Sequence, residues 1–422
     1  MLFNRITNRL FIHYAGGIRI KNVPSFMLFS CSCNNIHIHR CHLIVNTKRS
    51  KNFNCIVNFN RNVATTVDAD DKIVTIQEVT RYMVDCMTKA GTSKSHAQQL
   101  ADVLIEADIR GHYSHGLNRL AMYVRDVQED SCMKDGTPMI LKEHAASAWV
   151  DGNNLLGPVV GNFCMDLAIK KGKEAGVGWV VAKGSNHFGI AGWYSMRAMK
   201  QGLLGMAFTN TSPIMYPTRS STSALGTNPL TFAAKAKNDA FVLDMATTTA
   251  AIGKVELASR KEQTVPDTWG VEKSGHVCND PAKILSGGGL LPLGGDELTG
   301  GYKGYGLGAL VEIICGILAD AKWGPYVRKW MTTAVTANLG QCFIAVNPDG
   351  FAPNFENRLQ EFIDTMRGLK PADNKKVLVA GDPEREHTAL VEKHGGIPYH
   401  PNQIIHAEEL AKKLGVQAMT VK

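Results

Sequence analysis

The segment Gly178-Trp179-Val180-Val181-Ala182-Lys183-Gly184-Ser185-Asn186-His187-Phe188-Gly189 decides the fold class of this chain. Its first five residues form a short apolar run bounded by glycine, which is typical of a buried strand. The residues that follow are mostly polar or glycine and include one histidine. Loops that leave strand ends are where α/β proteins place ligand chemistry. The segment therefore predicts a strand that leads into a functional loop.

Short apolar runs alternate with helical patterns on both sides of this segment. We predict strands over 178–182, 203–209, 241–244 and 342–347, and helices over 161–176, 190–201, 248–261, 305–319, 355–367 and 407–414. Alternation of this kind predicts a mixed α/β fold.

Three helical patterns precede the alternating region. Apolar residues recur at helical spacing over 75–90, and Thr92-Ser93 can cap a second helix that ends at Gly111. Ser114 stands at the position of an N-cap for a third helix, whose apolar residues run from Leu117 to Val127.

These patterns divide the chain into four parts. We predict an N-terminal extension over 1–70, a smaller helical domain over 72–145, an α/β domain that binds cofactor and substrate over 146–300, and a C-terminal helical region over 301–422 that packs back on the core.

Charge separates the first part from the rest of the chain. Residues 1–67 contain nine Lys and Arg and no Asp or Glu, so the remaining 37 basic and 38 acidic residues nearly cancel. A neutral globular part does not favour a nucleic-acid partner. The acid-free leader suits a mitochondrial transit peptide, and an extension outside the mature fold or a misassigned start explains it equally well. The protein is therefore expected in the cytoplasm, or in mitochondria if the leader is a transit peptide.

The cysteines give no disulfide pattern. Cys31, Cys33 and Cys41 lie among histidines, but their spacing fits no regular zinc finger, and we predict no metal site. The six cysteines from Cys86 to Cys342 are scattered singly, which favours buried thiols in a reducing compartment. No uncharged apolar run approaches the length of a membrane span, so no membrane partner is expected.

His115 and Arg119 are four residues apart at the start of the predicted third helix, so they would project from one face. A cation beside an imidazole at a helix N-terminus could hold a small anionic substrate. The alternative is that His115 is an exposed first-turn residue and Arg119 a surface ion-pair partner.

His187 and Asp244 each follow a predicted strand. A loop histidine such as His187 is the commonest general acid or base near neutral pH, although it can equally be a histidine bonded to backbone. Asp244 precedes three threonines and could bind a ribose hydroxyl or orient a histidine, or it could belong to a helix-capping box. The segment 209–213 has the same ambiguity.

Gly301-Tyr302-Lys303-Gly304-Tyr305-Gly306-Leu307-Gly308 is similar to a phosphate cradle, since glycines allow backbone N–H groups to approach an anion and Lys303 supplies charge. The chain contains no Gly-x-Gly-x-x-Gly fingerprint, Walker loop, Gly-x-Ser-x-Gly elbow or His-Glu-x-x-His motif.

Together these segments resemble the malate/L-lactate dehydrogenase family of the second type, which also holds sulfolactate, ureidoglycolate and diketogulonate oxidoreductases and an imino-acid reductase. The motifs that carry the resemblance are Ser114-His115-Gly116 with Arg119, Gly184 to Gly189, Leu225-Gly226-Thr227-Asn228-Pro229, Leu243 to Thr247, Gly301 to Gly306, and Gly381-Asp382-Pro383-Glu384-Arg385-Glu386. The resemblance spans about residues 74–420. Residues 1–70 and the stretch 268–301 depart from it.

The resemblance implies a non-Rossmann fold and a reaction in which NAD or NADP, with NAD favoured, interconverts a 2-oxo acid and its 2-hydroxy acid. It implies that His115 or His187 exchanges the proton, that Ser114 and Arg119 bind the substrate, with Arg119 clamping the carboxylate, and that Asp244 supports catalysis. The residues it implies for cofactor contact are Thr211, Ser212, Asp244, Met245, Ala246, Thr247, Lys303, Gly304, Asp382, Pro383 and Glu384. It also implies a homodimer. The alternatives are a cyclic imino-acid reductase and an inactive nucleotide-binding homologue.

Overall fold

The computed structural model describes residues 67–329, 332–333 and 335–422. The expectations for the leader, the transit peptide and the cysteine–histidine cluster around Cys31 lie outside the described residues.

Helices and strands alternate over most of the described chain. The α-helices are α1 (Ile76–Lys89), α2 (Lys94–Ile109), α3 (Leu120–Gln128), α4 (Gly157–Ala175), α5 (Gly192–Met199), α6 (Ile252–Arg260), α7 (Pro281–Leu285), α8 (Gly301–Glu312), α9 (Phe355–Arg367), α10 (Asp382–His394) and α11 (Pro401–Leu414). The strands are β1 (Lys72–Val74), β2 (Met139–Glu143), β3 (Ser147–Asp151), β4 (Val177–Ser185), β5 (Leu204–Thr209), β6 (Leu230–Lys235), β7 (Ala240–Met245), β8 (Gly270–Val271), β9 (Val277–Cys278), β10 (Gly289–Leu290), β11 (Leu339–Val346) and β12 (Ile397–Tyr399).

A seven-stranded sheet with the order β2-β3-β4-β11-β5-β6-β7 forms the centre. Its β3–β4 pair is parallel, and its other five pairs are antiparallel. Helices together with a mostly antiparallel mixed sheet confirm the expected mixed α/β class. A doubly wound dinucleotide-binding sheet would instead be mostly parallel. Two small sheets, β1-β12 and β10-β8-β9, lie outside it.

Four strands of the large sheet run in the same direction. β11 is antiparallel to both of its neighbours, β4 and β5, so those two strands are parallel to each other. β3 runs parallel to β4, and β7 runs parallel to β5 because β6 reverses between them. The carboxyl ends of these strands therefore meet at one edge of the sheet, where the loops after Ser185, Thr209 and Met245 begin.

Side chains of successive residues in the central strands point to opposite faces of the sheet and pack into two apolar cores. Val180, Ala182 and Phe343 pack into a large core with α4 and α5. Val181 and Cys342 point the other way, into a second cluster with the segment that continues α8. That continuation, Ile313–Ile317, is a π-helical turn. The sheet is thus covered on both faces.

The two ends of the described chain meet. β1 pairs antiparallel with β12, and Tyr82 of α1 donates a 2.7 Å hydrogen bond to the carbonyl of Ala407 in α11. Helices α1, α2, α3 and α11 contribute to the same core as α4 and α5. The division of the chain into four parts stays a prediction.

The expected third helix is wrong in its first turns. α3 begins at Leu120, whereas Tyr113–His115 and Leu117–Arg119 form two separate 3₁₀ turns. The buried carboxylate of Asp108 accepts a 2.9 Å hydrogen bond from the backbone N–H of Leu117, and a side chain at position 116 would collide with it. Gly116 therefore breaks the helix, so Ser114 is not its N-cap, and His115 and Arg119 do not share a helix face.

The described cysteines, Cys86, Cys132, Cys164, Cys278, Cys315 and Cys342, are free thiols, and all but Cys278 are buried. Among the described residues we find no apolar helix of the length that a bilayer requires.

Candidate active site

The two predicted histidine loops meet in space. The rings of His115 and His187 stack with centroids 5.7 Å apart and planes 24° apart. Tyr123 of α3 approaches His187 from another side, and its hydroxyl lies 2.6 Å from Nδ1. Both histidines are partly exposed, whereas Tyr123 is buried. Residues that are 72 positions apart in the sequence thus form one imidazole pair at the edge of the sheet.

Buried polar contacts fix the loop that carries His187. Gln341, at the start of β11, accepts a hydrogen bond from the Ser185 hydroxyl at 2.9 Å and donates to the Asn186 carbonyl at 3.0 Å. The Asn186 side chain donates to the Leu155 carbonyl at 2.9 Å. A Cβ at position 157 would lie 2.2 Å from the His187 carbonyl oxygen, so the start of α4 packs directly on this loop. These contacts therefore fix the loop backbone from which the ring of His187 projects.

The carboxylate of Asp108 fixes the turn that carries His115 and Arg119. The Asp108 carboxylate also accepts a 2.7 Å hydrogen bond from the hydroxyl of Tyr399 in β12. Among the described residues, its other oxygen, Oδ1, has no hydrogen-bond partner. Burial raises the pKa of Asp108 to about 7. The turn itself is closed by Arg119, whose Nε donates to the Ser114 carbonyl at 2.6 Å.

The surroundings keep both imidazoles neutral. Burial, the Arg119 cation and His112 lower the pKa of His115 to about 3. Burial lowers the pKa of His187 well below its usual value, and His115 and Arg119 act in the same direction. At neutral pH the site therefore holds one guanidinium cation beside two neutral imidazoles, an arrangement that attracts an anion and can accept a proton.

Asp244 lies at the end of β7 and accepts a 2.7 Å hydrogen bond from the backbone N–H of Gly192, the first residue of α5. Burial raises its pKa, while the neighbouring His112, the hydrogen bond from Gly192 and the Arg110 cation act in the opposite direction. His112 in turn lies 3.4 Å from the Glu384 carboxylate. Asp244 thus anchors the helix that follows the His187 loop and belongs to a polar cluster with His112 and Glu384.

The predicted cofactor residues fall into two groups. In the first group, the hydroxyls of Thr211 and Thr227 are 3.3 Å apart, and the Thr247 hydroxyl donates to the Thr227 carbonyl at 3.1 Å. The Thr247 carbonyl accepts from Leu293, and a Cβ at Gly304 would lie 2.2 Å from the Leu293 oxygen. Thr211, Thr247 and the first turn of α8 with Lys303 are therefore contiguous, and we call them, after their predicted role, the cofactor face.

The remaining residues of this group flank the cofactor face. Ser212 donates a 2.6 Å hydrogen bond to the Arg328 carbonyl, and Met245 and Ala246 join Asp244 to Thr247. Beneath them the buried carboxylate of Glu312 accepts hydrogen bonds from Asn210 and Asn228, at 2.8 and 2.7 Å. This carboxylate holds the two loops that follow β5 and precede β6 against α8.

The second group lies at the start of α10. The carboxylate of Asp382 is paired with Arg367 and Arg385, each at 2.5 Å. Burial opposes the effect of these two cations, but the net result is a pKa of about 2. Asp382 thus belongs to a structural ion-pair cluster, Pro383 follows it in the first turn of α10, and Glu384 faces His112 next to Asp244.

Sequence reasoning overlooked several residues that build this site. Tyr123 follows Arg119 by four positions and Asp108 precedes the glycine of the Arg110-Gly111-His112 motif, so both were within reach of a spacing argument. No sequence pattern pointed to Gln341 or Glu312, because each forms hydrogen bonds with a loop that is more than 80 positions away in the chain. No cluster of three or more potential metal ligands occurs among the described residues.

Comparison with known proteins gives a consistent result. The family model described as malate/L-lactate dehydrogenase matches residues 74–406. The malate dehydrogenase of Pyrococcus abyssi (strain GE5 / Orsay) is 36% identical over 348 residues, which cover 82% of this chain and 95% of that protein. The L-sulfolactate dehydrogenase of Methanocaldococcus jannaschii is 36% identical over 338 residues, which cover 80% and 95%. The solved structure of malate dehydrogenase from Pyrococcus horikoshii OT3 superposes with a TM-score of 0.78 at 34% identity, over 85% of this chain and 99% of that one.

We expect Asp108→Asn to change how stability depends on pH. The folded-state pKa of Asp108, about 7, lies above the ordinary value of 3.8, so the folded protein favours the protonated carboxyl. The wild-type protein therefore loses stability as the pH rises from 3.8 to about 7. The asparagine cannot ionise. Its free energy of unfolding relative to wild type should therefore rise by roughly 2 to 4 kcal/mol between pH 4 and pH 8, at about 1.4 kcal/mol per pKa unit.

Urea unfolding at several pH values measures this difference. Asp102→Asn is the matched control, since Asp102 lies on the same helix but is exposed. A difference between Asp108→Asn and wild type that does not vary with pH would contradict the prediction.

Proposed function

The chain belongs to the malate/L-lactate dehydrogenase family, and from this we propose that the site built around His115, His187 and Arg119 performs the family's chemistry. The protein is a nicotinamide-dependent hydroxy-acid dehydrogenase, which interconverts a 2-hydroxy acid and its 2-oxo acid. The juxtaposition of two neutral imidazoles and one guanidinium carries the assignment of the site, because this reaction needs a proton acceptor beside a carboxylate clamp.

Arg119 is the proposed clamp. A guanidinium can bind a carboxylate through two parallel hydrogen bonds, which fixes orientation as well as position. The partial burial of Arg119 strengthens such a pair, because fewer waters compete for the charges. The Ser114 hydroxyl, 2.9 Å from Nδ1 of His115, lies between the clamp and the imidazole and is proposed as a further substrate contact.

One of the two histidines is proposed as the proton acceptor during oxidation of the hydroxy acid. A lowered pKa keeps each ring neutral and ready to accept a proton, and the bound carboxylate would offset the Arg119 charge that opposes protonation. His115 is the favoured acceptor, since its ring contacts the hydroxyl of Ser114, whose carbonyl oxygen also accepts a hydrogen bond from Arg119. Asp244 supports the site because its hydrogen bond with Gly192 anchors the start of α5, the helix that follows the His187 loop.

The cofactor face fits a nicotinamide dinucleotide. Lys303 is exposed in the first turn of α8, and Gly300, the residue before the helix, offers no side-chain cap, so a cation and a positive helix end are available to a pyrophosphate. The hydroxyls of Thr211 and Ser212 are suited to contact the remainder of the dinucleotide. When bound, the nicotinamide supplies the hydride acceptor or donor for the substrate carbon. The preference for NAD over NADP stays a prediction.

We also propose that the protein is a homodimer. Large apolar side chains are exposed along one surface of α8 and its π-helical continuation, and we call this surface the α8 face. Its members are Tyr302, Leu310, Ile313, Ile317 and Leu318, which are 47–57% exposed. A group of exposed apolar side chains on one helix is typical of a protein contact. A partner chain on the α8 face would lie beside the cofactor face, because both use the same helix.

The reaction is tested by assaying the purified protein with NAD and with NADP. Malate, lactate and sulfolactate are supplied for oxidation, and the corresponding 2-oxo acids and a cyclic imino acid for reduction, while the nicotinamide absorbance is followed. We expect turnover of at least one hydroxy acid and its 2-oxo acid. Turnover of the cyclic imino acid alone would replace the proposed substrate class, and inactivity with every pair would contradict the proposal.

Arg119→Lys should impair substrate binding although it keeps the charge. An ammonium cannot form the two parallel hydrogen bonds, and the loss of one charge-assisted bond of about 1.5 to 3 kcal/mol corresponds to a KM roughly 10 to 100 times higher. The KM for the cofactor should change little. Arg197→Lys is the control, because Arg197 pairs with Asp166 on the surface. Kinetics in Arg119→Lys that match those of the control would place Arg119 outside the substrate site.

Ile317→Glu should separate the two subunits. A carboxylate within the α8 face would have to be buried against the partner, which costs several kcal/mol. Sedimentation velocity should give the mass of two chains for the wild type and of one chain for the variant. Ile405→Glu, at a similarly exposed residue of α11, should leave the dimer intact. A wild-type monomer, or a variant that remains dimeric, would contradict the proposed interface.

A further inference from the structure

A fully buried tyrosine points its hydroxyl at one particular nitrogen of His187. Tyr123 is 1% exposed, and its oxygen lies 2.6 Å from Nδ1 of His187. This distance is shorter than the 2.9 Å between Ser114 Oγ and Nδ1 of His115 and the 3.4 Å between the Gly189 nitrogen and Nδ1 of His187. Burial also raises the pKa of the Tyr123 phenol well above its usual value, so the group stays protonated and able to donate.

The hydrogen bond could run in either direction if only these two groups were present. The phenol could donate to Nδ1, or it could accept from an Nδ1–H group and donate its own hydrogen to the His187 carbonyl, 3.3 Å away. The two arrangements give opposite tautomers of the ring, because a neutral imidazole carries one proton.

The backbone of Gly189 distinguishes them. Its N–H points at the same Nδ1, at 3.4 Å. A backbone N–H can only donate, so it requires a lone pair on the nitrogen that it faces. A hydrogen on Nδ1 would point at the hydrogen of the Gly189 N–H and repel it. An Nδ1 without a hydrogen can instead accept from both the Gly189 N–H and the Tyr123 hydroxyl.

We propose that Tyr123 and the Gly189 N–H hold His187 as the tautomer with its proton on Nε2, which makes Tyr123 a positioning residue for this histidine. The ring then offers a fixed N–H donor on the side away from Tyr123, and no lone pair there. His187 would hydrogen-bond to the substrate or cofactor without changing its own protonation, and the proton would be exchanged by His115. The tautomer follows from the contacts alone, whereas its effect on turnover rests on the proposed function.

Nitrogen-15 NMR of protein labelled in histidine tests the tautomer directly. Two-bond couplings from the ring C–H protons distinguish the protonated from the bare nitrogen, and the resonances of His187 are identified by their absence in His187→Gln. We expect protonated Nε2 and bare Nδ1 in the wild type at pH 7. A wild-type ring with its proton on Nδ1 overturns the proposal, whether or not the protein is a dehydrogenase.

Tyr123→Phe removes the phenol donor and keeps the ring that fills the core. We expect a shift of the Nδ1 resonance and a lower population of the Nε2–H tautomer. In turnover we expect kcat to fall roughly 10- to 100-fold, the loss that is typical when a residue orienting a metal-bound histidine is removed, with little change in the KM of substrate or cofactor. An unchanged His187 spectrum overturns the proposal.

Tyr82→Phe is the matched control. Tyr82 is equally buried and also loses one hydrogen bond, the one to the Ala407 carbonyl, but it lies away from the site. It should leave the His187 spectrum and kcat unchanged. Equal losses of stability and activity in both variants, with no change of tautomer in Tyr123→Phe, would assign Tyr123 a purely structural role and so contradict the proposal.

Discussion

The common direction of four strands is the constraint on which the candidate site depends. β11 forms antiparallel ladders with both β4 and β5, so the ends of these two strands face the same edge of the sheet. Seven of its eight residues are buried, and a change of pairing would leave buried backbone groups without partners. The loops that carry His187 and Thr211 therefore leave the sheet side by side, and β7 adds Asp244 to the same edge.

A second constraint is electrostatic. Three basic side chains, His115, His187 and Arg119, lie together under partial cover, where three positive charges would repel one another strongly. The lowered pKa values of the two histidines relieve this repulsion by keeping the rings neutral. The guanidinium then remains as the cation among them, which suits the recognition of one carboxylate. The buried carboxyl of Asp108 and the half-buried carboxyl of Asp244 accept hydrogen bonds from backbone N–H groups and so hold the two segments in place.

Local patterns predicted several elements accurately. The helices predicted over 355–367 and 75–90 agree with the structure to within a residue, because apolar periodicity is a property of a few neighbouring residues. The three-residue strands β1 and β12 were not predicted, since each is stable only when paired with the other. Helix α10 was not predicted either, because only Asp382, His387 and Val391 are buried on it. The first turns of α3 were predicted wrongly, because the Asp108 carboxylate competes with helical bonding at Leu117.

The sequence by itself determined the mixed α/β class, the residues from which the site is drawn and the family resemblance, because these depend on local periodicity and on side-chain chemistry. The tertiary structure decided which of those residues meet and in what state. Tyr123 and His187 are 64 positions apart, and Ser185 and Gln341 are 156 apart. The neutrality of the histidines and the strand directions depend on such distant contacts, since burial and pairing are properties of the folded chain and not of any one segment.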